Sequence, residues 1–443
     1  MKTILVIGAG LSSSSLIRYF LEKSTLYHWQ VRVVDQDIAL VRKKLNNHPN
    51  GVALSFNALN STERRPEIEK ADLVVSMLPA RFHVEVALDC IDLKTNLITP
   101  SYVSPEMREL HTRAEEAGIL IMNEIGVDPG LDHMSAARVL DEIRSKDGQI
   151  ESFLSFCGGL IAPENDNNPW NYKFTWNPRN VVLAGQGGAA RFIEQGEYKF
   201  IPYSQVFQRL DHIDIEGFGT FEGYANRDSL SYRSVYGLED IPTIYRGTLR
   251  RNGFSAAWNI FVQLGMTDDS YTIEHSEELT PRAFVNAFLP YDTQETVEHK
   301  FKRLFTKDDQ TLFDKFEWLG LFENNTPIGL SNATPAQLLE KILVGKWVLE
   351  PNDKDMLVMH HEFGCTIAGQ SHTIHSSMVN IGEDQVYTAM SNTVGLPVGM
   401  CGKMILNGDL QLKGVQVPVM PEVYNPILDE LETFGIKFEE TWK

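Results

Sequence analysis

The sequence predicts an α/β chain: a doubly wound parallel sheet, a mixed α+β domain and a small helical insertion. Three observations carry this. The chain opens on a strand, a glycine loop, a helix and a second strand within about thirty residues. From residue 149 strands follow one another without helices between them, and residues 254–348 turn helical, with Thr280-Pro281 and Thr334-Pro335 as helix starts. At 443 residues the chain is long for one core, so more than one domain is expected.

In the opening unit, residues 3–7 are a β-branched and leucine run ending at Gly8, residues 16–21 have helical apolar spacing, and residues 30–35 form a second strand. Gly8-Ala9-Gly10-Leu11-Ser12-Ser13 matches G-x-G-x-x-G except that Ser13 stands at the third glycine, the position of close helix-to-strand packing. Gly8 and Gly10 let the backbone approach a pyrophosphate, and Leu11, Ser12 and Ser13 lead into a helix whose free amides favour an anion. Asp35 ends the second strand, where an acid accepts hydrogen bonds from a ribose 2′-hydroxyl; with Gln36 and Asp37 beside it and no cation, the position leans towards NAD over NADP. Together these define a Rossmann-type dinucleotide-binding domain.

Residues 71–79 read as a further strand whose Ser76-Met77-Leu78-Pro79 end turns to the nicotinamide side, which makes Met77 and Leu78 cofactor contacts. The next strand ends at Ser101-Tyr102, and residues 104–117 form one helix capped by Ser104 with Pro105 at its first position. His83 and His111 are expected on solvated or partly buried helix faces. Residues 123–133 then crowd Glu124, Gly126, Val127, Asp128, Pro129, Gly130, Asp132 and His133 behind a short apolar run. Such a loop at a strand end is either a sharp turn with Asp128 or Asp132 as helix cap, or a reactive site.

From residue 149, strands at 150–157, 171–176 and 181–184 predict an antiparallel sheet. Arg227 and Arg250 sit beside turn and strand-end residues and suit a carboxylate, although a surface ion pair explains either one alone. Strands resume at 355–363 and 371–378, the latter turning at 382–384 into 386–389, and helices at 394–406 and 422–434 return to the first sheet. The expected domains are residues 1–133 completed by 390–443, residues 134–254 with 346–389, and residues 255–345. Of His360, His361, His372 and His375, the first two face opposite ways on a strand and no acid or cysteine stands at zinc spacing, so no metal is expected.

Composition narrows the partners. A formal charge of -19 argues against nucleic acid and anionic membrane, so an anionic substrate needs local arginines. Four separated cysteines, Cys90, Cys157, Cys365 and Cys401, fit reduced thiols in a cytoplasmic enzyme. The apolar N-terminus is read as a strand rather than a signal peptide, since it breaks at the glycine loop, and no run approaches the ~18 apolar residues of a membrane span.

Ser101-Tyr102-Val103-Ser104-Pro105, residues 123–133 and 152–160, Ala162-Pro163-Glu164, Tyr172-Lys173-Phe174, Asn226-Arg227-Asp228-Ser229, residues 246–250, residues 350–356 and residues 393–397 together resemble the L-glutamate-forming saccharopine dehydrogenases, or saccharopine reductases. The resemblance covers almost the whole chain. It implies an enzyme that joins glutamate to 2-aminoadipate 6-semialdehyde through an imine reduced by a nicotinamide dinucleotide, or the reverse, and a homodimer. It further implies that Ser101, Tyr102 and Asp128 line the substrate and nicotinamide cleft, with Val127 at the cofactor, and that Arg227, Thr248, Leu249 and Arg250 hold substrate carboxylates. Asp128, supported by Tyr102, is the expected acid–base group. The family is mostly NADP-linked, which Asp35 does not fit, and Trp170 and Trp176 alter a loop, so the amine or aldehyde partner can differ. Two other readings stay open: condensation of an aldehyde with a diamine, which the arginines disfavour, and a non-catalytic nucleotide-binding scaffold.

Overall fold

The computed structural model describes residues 1–184, 186–305 and 309–443. The chain divides into two compact units, Met1–Ile150 with Met359–Lys443, and Glu151–Val358.

The first unit is built on β1 (Lys2–Ile7), β2 (Trp29–Val34), β3 (Gly51–Leu54), β4 (Leu73–Ser76), β5 (Asn96–Ile98) and β6 (Leu120–Met122). With the strand Gly414–Gln416 outside β6, they form a seven-stranded sheet in which β1 lies between β4 and β2. Every pairing is parallel. This is the doubly wound order, with the reversal at β1 and β4, where ligands collect beyond the strand ends. The central strands are short and buried on both faces, as β1 and β4 show with uninterrupted buried runs of aliphatics.

The helix Ser14–Tyr27 buries Leu16, Ile17, Tyr19 and Phe20. Against it lies the helix Ala389–Asn407, whose glycines permit close approach: a Cβ on Gly395 would stand 2.7 Å from the Leu16 amide, and one on Gly399 2.7 Å from the Tyr19 ring. Both this helix and Pro421–Glu432 lie in the first unit.

Three local expectations change. Residues 104–117 hold two helices, Pro105–Glu109 and His111–Ala117, because the chain tightens at Leu110, whose amide donates to Met107 three residues back. The late hairpin turns at Ala368-Gly369, both with positive φ, between β13 (Asp355–Ile367) and β14 (Gln370–Ile381). The segment expected to return as a strand after residue 382 is instead a turn in which Asp384 accepts the amides of Val386 and Tyr387, leading to Thr388 as helix cap. The strands between β6 and β13 belong mainly to the second unit.

In that unit β7 (Gln149–Ile161) runs on through Gly158 and Gly159, past the predicted end, because a Cβ on Gly158 would meet the Leu249 carbonyl at 2.6 Å; the glycine lets two strands close up. A hairpin of β8 (Ala190–Glu194) and β9 (Glu197–Ile201) precedes β10 (Leu210–Ile215), β11 (Gly219–Ala225) and β12 (Thr243–Arg251). β10, β11 and β12 are antiparallel neighbours, but β12 runs parallel to β7, so the sheet is mixed rather than antiparallel. Residues 171–176 are irregular and Pro178–Val182 is a short helix. Tyr172 and Phe174 are both buried against Trp347. Trp170, expected to alter a substrate loop, is wholly buried among Phe254, Phe261 and Phe316 and donates to the Lys315 carbonyl. Thr280 and Thr334 cap their helices as predicted, the latter in a full capping box with Gln337.

Candidate active site

Gly8 holds φ +106, and a Cβ there would stand 3.0 Å from the Met77 carbonyl, so the loop leaves β1 against the end of β4. A Cβ on Gly10 would meet nothing within 4 Å, which leaves its backbone open to a ligand. Leu11–Ser13 form a 3-10 turn into the helix Ser14–Tyr27. Ser13, in the third glycine's place, is buried and donates from Oγ to the Gly10 carbonyl at 2.9 Å, tying the loop to the helix start. These features fit a dinucleotide pyrophosphate.

Asp35 stands at the end of β2, but its carboxylate already accepts two amides, from Ala9 at 2.8 Å and Asp37 at 3.1 Å. The expectation that no cation lies near it is corrected. Lys44 donates from Nζ to the Gly10 carbonyl and, at 3.2 Å, to Ser13 Oγ. Burial lowers the Lys44 pKa to about 8, with the Asp35 charge acting the other way, so the ammonium is charged at neutral pH. Lys44 lies on the helix Ile38–Leu45, where sequence reading sees only one basic residue among several.

His83 is the second residue the sequence concealed. Expected on a helix face, it is buried between two strand ends: Nδ1 is 2.9 Å from Ser76 Oγ, and Nε2 is 2.8 Å from Ser101 Oγ and 3.0 Å from Thr99 Oγ1. Burial pushes its pKa down to about 4. A neutral imidazole therefore links the end of β4 to the segment carrying Ser101 and Tyr102. The one available signal was Ser76, seven residues earlier at the strand end.

The loop after β6 is fixed from within. Glu124 accepts the Val103 amide at 2.8 Å through one oxygen and lies 2.6 Å from buried His133 Nε2 through the other. Asp128-Pro129 is a cis peptide, and Gly130, at φ +145, would place a Cβ 2.1 Å from the Gly126 carbonyl. Neither proposed acid is the helix N-cap: that position is Gly130, while Asp132 reaches back to the Gly130 amide at 2.6 Å and Asp128 stays outside the helix. Asp128 Oδ1 instead accepts from the half-exposed Tyr102 hydroxyl at 3.2 Å. Within this unit Ser101, Tyr102 and Asp128 thus come together; Met77 meets the glycine loop, Leu78 is half-buried, and Val127 is buried beside Asp128.

In the second unit, the arginines differ. Arg227, in the turn after β11, is exposed, and no ion pair is found for it among the described residues. Arg250 is buried, with its guanidinium carbon 5.1 Å, 5.7 Å and 5.4 Å from the rings of Tyr172, Tyr224 and Phe254. One terminal nitrogen donates to the Leu249 carbonyl at 2.8 Å, while Nε has no partner among the described residues. A buried guanidinium with an open donor suits an anionic ligand. Thr248 shares the Arg250 face of β12, whereas Leu249 points the other way, fully buried beside Gly158 and Gly223. Its side chain is core.

Fold and site define a Rossmann-type dinucleotide-binding protein with a second, mixed-sheet unit. Residues 4–122 match the saccharopine dehydrogenase NADP binding domain and residues 126–436 the saccharopine dehydrogenase C-terminal domain, so the chain belongs to the saccharopine dehydrogenase family. It is similar to the mitochondrial alpha-aminoadipic semialdehyde synthase of Rattus norvegicus, 33% identical over 99% of this chain and 47% of that protein; the chain spans about half the length of such relatives. It is also similar to the saccharopine dehydrogenase [NADP(+), L-glutamate-forming] of Saccharomyces cerevisiae, 32% identical over 99% of both chains. The solved apo structure of the histidine-tagged Saccharomyces cerevisiae saccharopine dehydrogenase (L-Glu forming) superposes with a TM-score of 0.90 over 100% of both chains at 30% identity.

Proposed function

We propose that the chain is a saccharopine dehydrogenase that interconverts saccharopine, water and an oxidised nicotinamide dinucleotide with L-glutamate, 2-aminoadipate 6-semialdehyde and the reduced cofactor. The observation that carries the reading is the Tyr102–Asp128 pair, a donor and an acceptor held together on neighbouring loops beyond the parallel strands. It is supported by end-to-end similarity to a relative named for this reaction.

A bound nicotinamide dinucleotide supplies the hydride acceptor for the substrate C–N bond. Gly8, Gly10 and Leu11–Ser13 hold its phosphates; Met77, Leu78, Ser101 and Val127 are the proposed neighbours of its nicotinamide half. Asp128 takes the proton released as water adds to the substrate imine, and Tyr102 fixes the carboxylate's direction. Arg227, Thr248 and Arg250 are the proposed carboxylate ligands, with Leu249 contributing only backbone. Cations of this kind weigh against a diamine substrate.

The preferred cofactor in this proposal is NADP. The Asp35 oxygens are already engaged by two amides, and Lys44 adds a cation at the same loop, suited to a 2′-phosphate. A homodimer and a cytoplasmic location remain part of the proposal; among the described residues no helix is long and apolar enough to cross a membrane. The test is reduced-cofactor formation from L-saccharopine with each oxidised cofactor. Glutamate release, faster with NADP, is expected. Absence of turnover by protein that binds cofactor would reject the substrate assignment.

A further inference from the structure

Sequence spacing alone does not bring His360 and His375 together, but the hairpin of β13 and β14 does. His360 and Glu362, two residues apart, share one face of β13, and the turn at Ala368-Gly369 brings His375 of β14 onto the same face. Side-chain nitrogens of both histidines and a Glu362 oxygen all lie within 4.8 Å of one another. His361 points the other way, with Nε2 2.8 Å from Ser135 Oγ. The absence of an acidic partner expected from spacing is therefore corrected: the partner was two residues along the strand.

We propose that His360, Glu362 and His375 form a binding site for one divalent transition-metal ion of the zinc type. The chemistry of the donors sets the class. Two imidazoles and one carboxylate suit Zn²⁺ and its neighbours Co²⁺ and Ni²⁺, whereas Mg²⁺ and Ca²⁺ take oxygen ligands. Three protein donors leave the fourth tetrahedral position to water.

The three groups divide into one fixed ligand and two adjustable ones. His360 is buried, and its Nδ1 lies 2.8 Å from Ser377 Oγ. With Nδ1 donating to that hydroxyl, Nε2 carries the free lone pair a metal needs, the arrangement in which an outer hydrogen bond orients a ligand ring.

His375 and Glu362 keep side-chain exposures of 25% and 39%, which leaves an entry path and room for small rotations. Their nearest atoms are already 3.6 Å apart, against about 3.3 Å between donors on one tetrahedral zinc with bonds of ~2.0–2.1 Å. An ion pair between Glu362 and protonated His375 would use two of the groups only. It gives no role to His360, whose ring stacks 5.6 Å from that of His375 at 26°.

The experiment uses the full chain, stripped with a chelator and dialysed against Zn²⁺, with bound metal measured by elemental analysis, and titrated in parallel with Co²⁺ by visible absorption. One equivalent of zinc and a four-coordinate Co²⁺ spectrum are expected. Glu362→Gln and His375→Gln, both at half-exposed positions, should each weaken Co²⁺ binding by at least about 100-fold while circular dichroism stays unchanged. Ser377→Ala should weaken it about 10- to 100-fold through the outer hydrogen bond. Failure of the wild-type chain to take up stoichiometric zinc overturns the site. So does uptake that is equal in the wild type and in both ligand variants.

Discussion

Replacing His83 with leucine tests whether the buried imidazole welds the ends of β4 and β5. At neutral pH the variant leaves the wholly buried Ser76 hydroxyl without this partner, at about 1–3 kcal/mol, while the Thr99 hydroxyl keeps the Ser101 amide. The pH dependence isolates the histidine itself. Its pKa falls from 6.5 in the unfolded chain to about 4 in the folded one. Below pH 6.5 the unfolded chain therefore binds a proton that the folded chain refuses, and folding stability drops as the pH falls towards 4. Between pH 7 and pH 5 those two values give a loss of about 2 kcal/mol from this one group. His83→Leu removes the group, so the stability advantage of the wild type over the variant should shrink by about 2 kcal/mol across that interval. Urea unfolding of both proteins, followed by circular dichroism at half-unit pH steps, reads the difference directly. Parallel stability curves would mean that His83 titrates as in water and that its burial exerts no pull. A variant more stable than the wild type at pH 7 would refute the claim that the imidazole satisfies the Ser76 hydroxyl.

Three further outcomes follow from the site. Asp128→Asn should lower saccharopine turnover by about 10²- to 10⁴-fold with cofactor affinity intact, while Tyr102→Phe should cost less, because it removes only the carboxylate's orienting donor; both are read by steady-state kinetics and cofactor titration. Arg250→Met should reduce kcat/KM for saccharopine by about 10- to 100-fold through the lost charged hydrogen bond, with little change in cofactor binding measured by fluorescence. Lys44→Met should weaken NADP more than NAD, and in the wild type the NADP preference should fade as the pH rises through about 8, where the ammonium loses its proton; a pH series of Kd values for both cofactors checks each point.

Chain-local signals carried much of this molecule. The run of residues 3–7, the Gly8 and Gly10 pair and the strand ending at Asp35 mark the Rossmann unit because parallel strands buried on both faces are continuous apolar runs and the glycine turn demands a fixed residue pattern. Thr280 and Thr334 announced their helices because capping acts within three residues. Residues 171–176 misled, since a short run rich in aromatics records burial, here of all four residues 172–175, and not the strand that usually causes it.

The sequence by itself thus determined the glycine loop, which depends on residues close together in the chain, and the family, which rests on short motifs spread along it. Only the tertiary structure decided that Lys44 reaches the Gly10 carbonyl, that His83 joins Ser76 to Ser101, and that His375 meets His360 and Glu362. Those relations depend on which strand ends and faces the fold brings together. No local periodicity encodes them, because the same residue types at the same spacing are solvated on any exposed helix or strand.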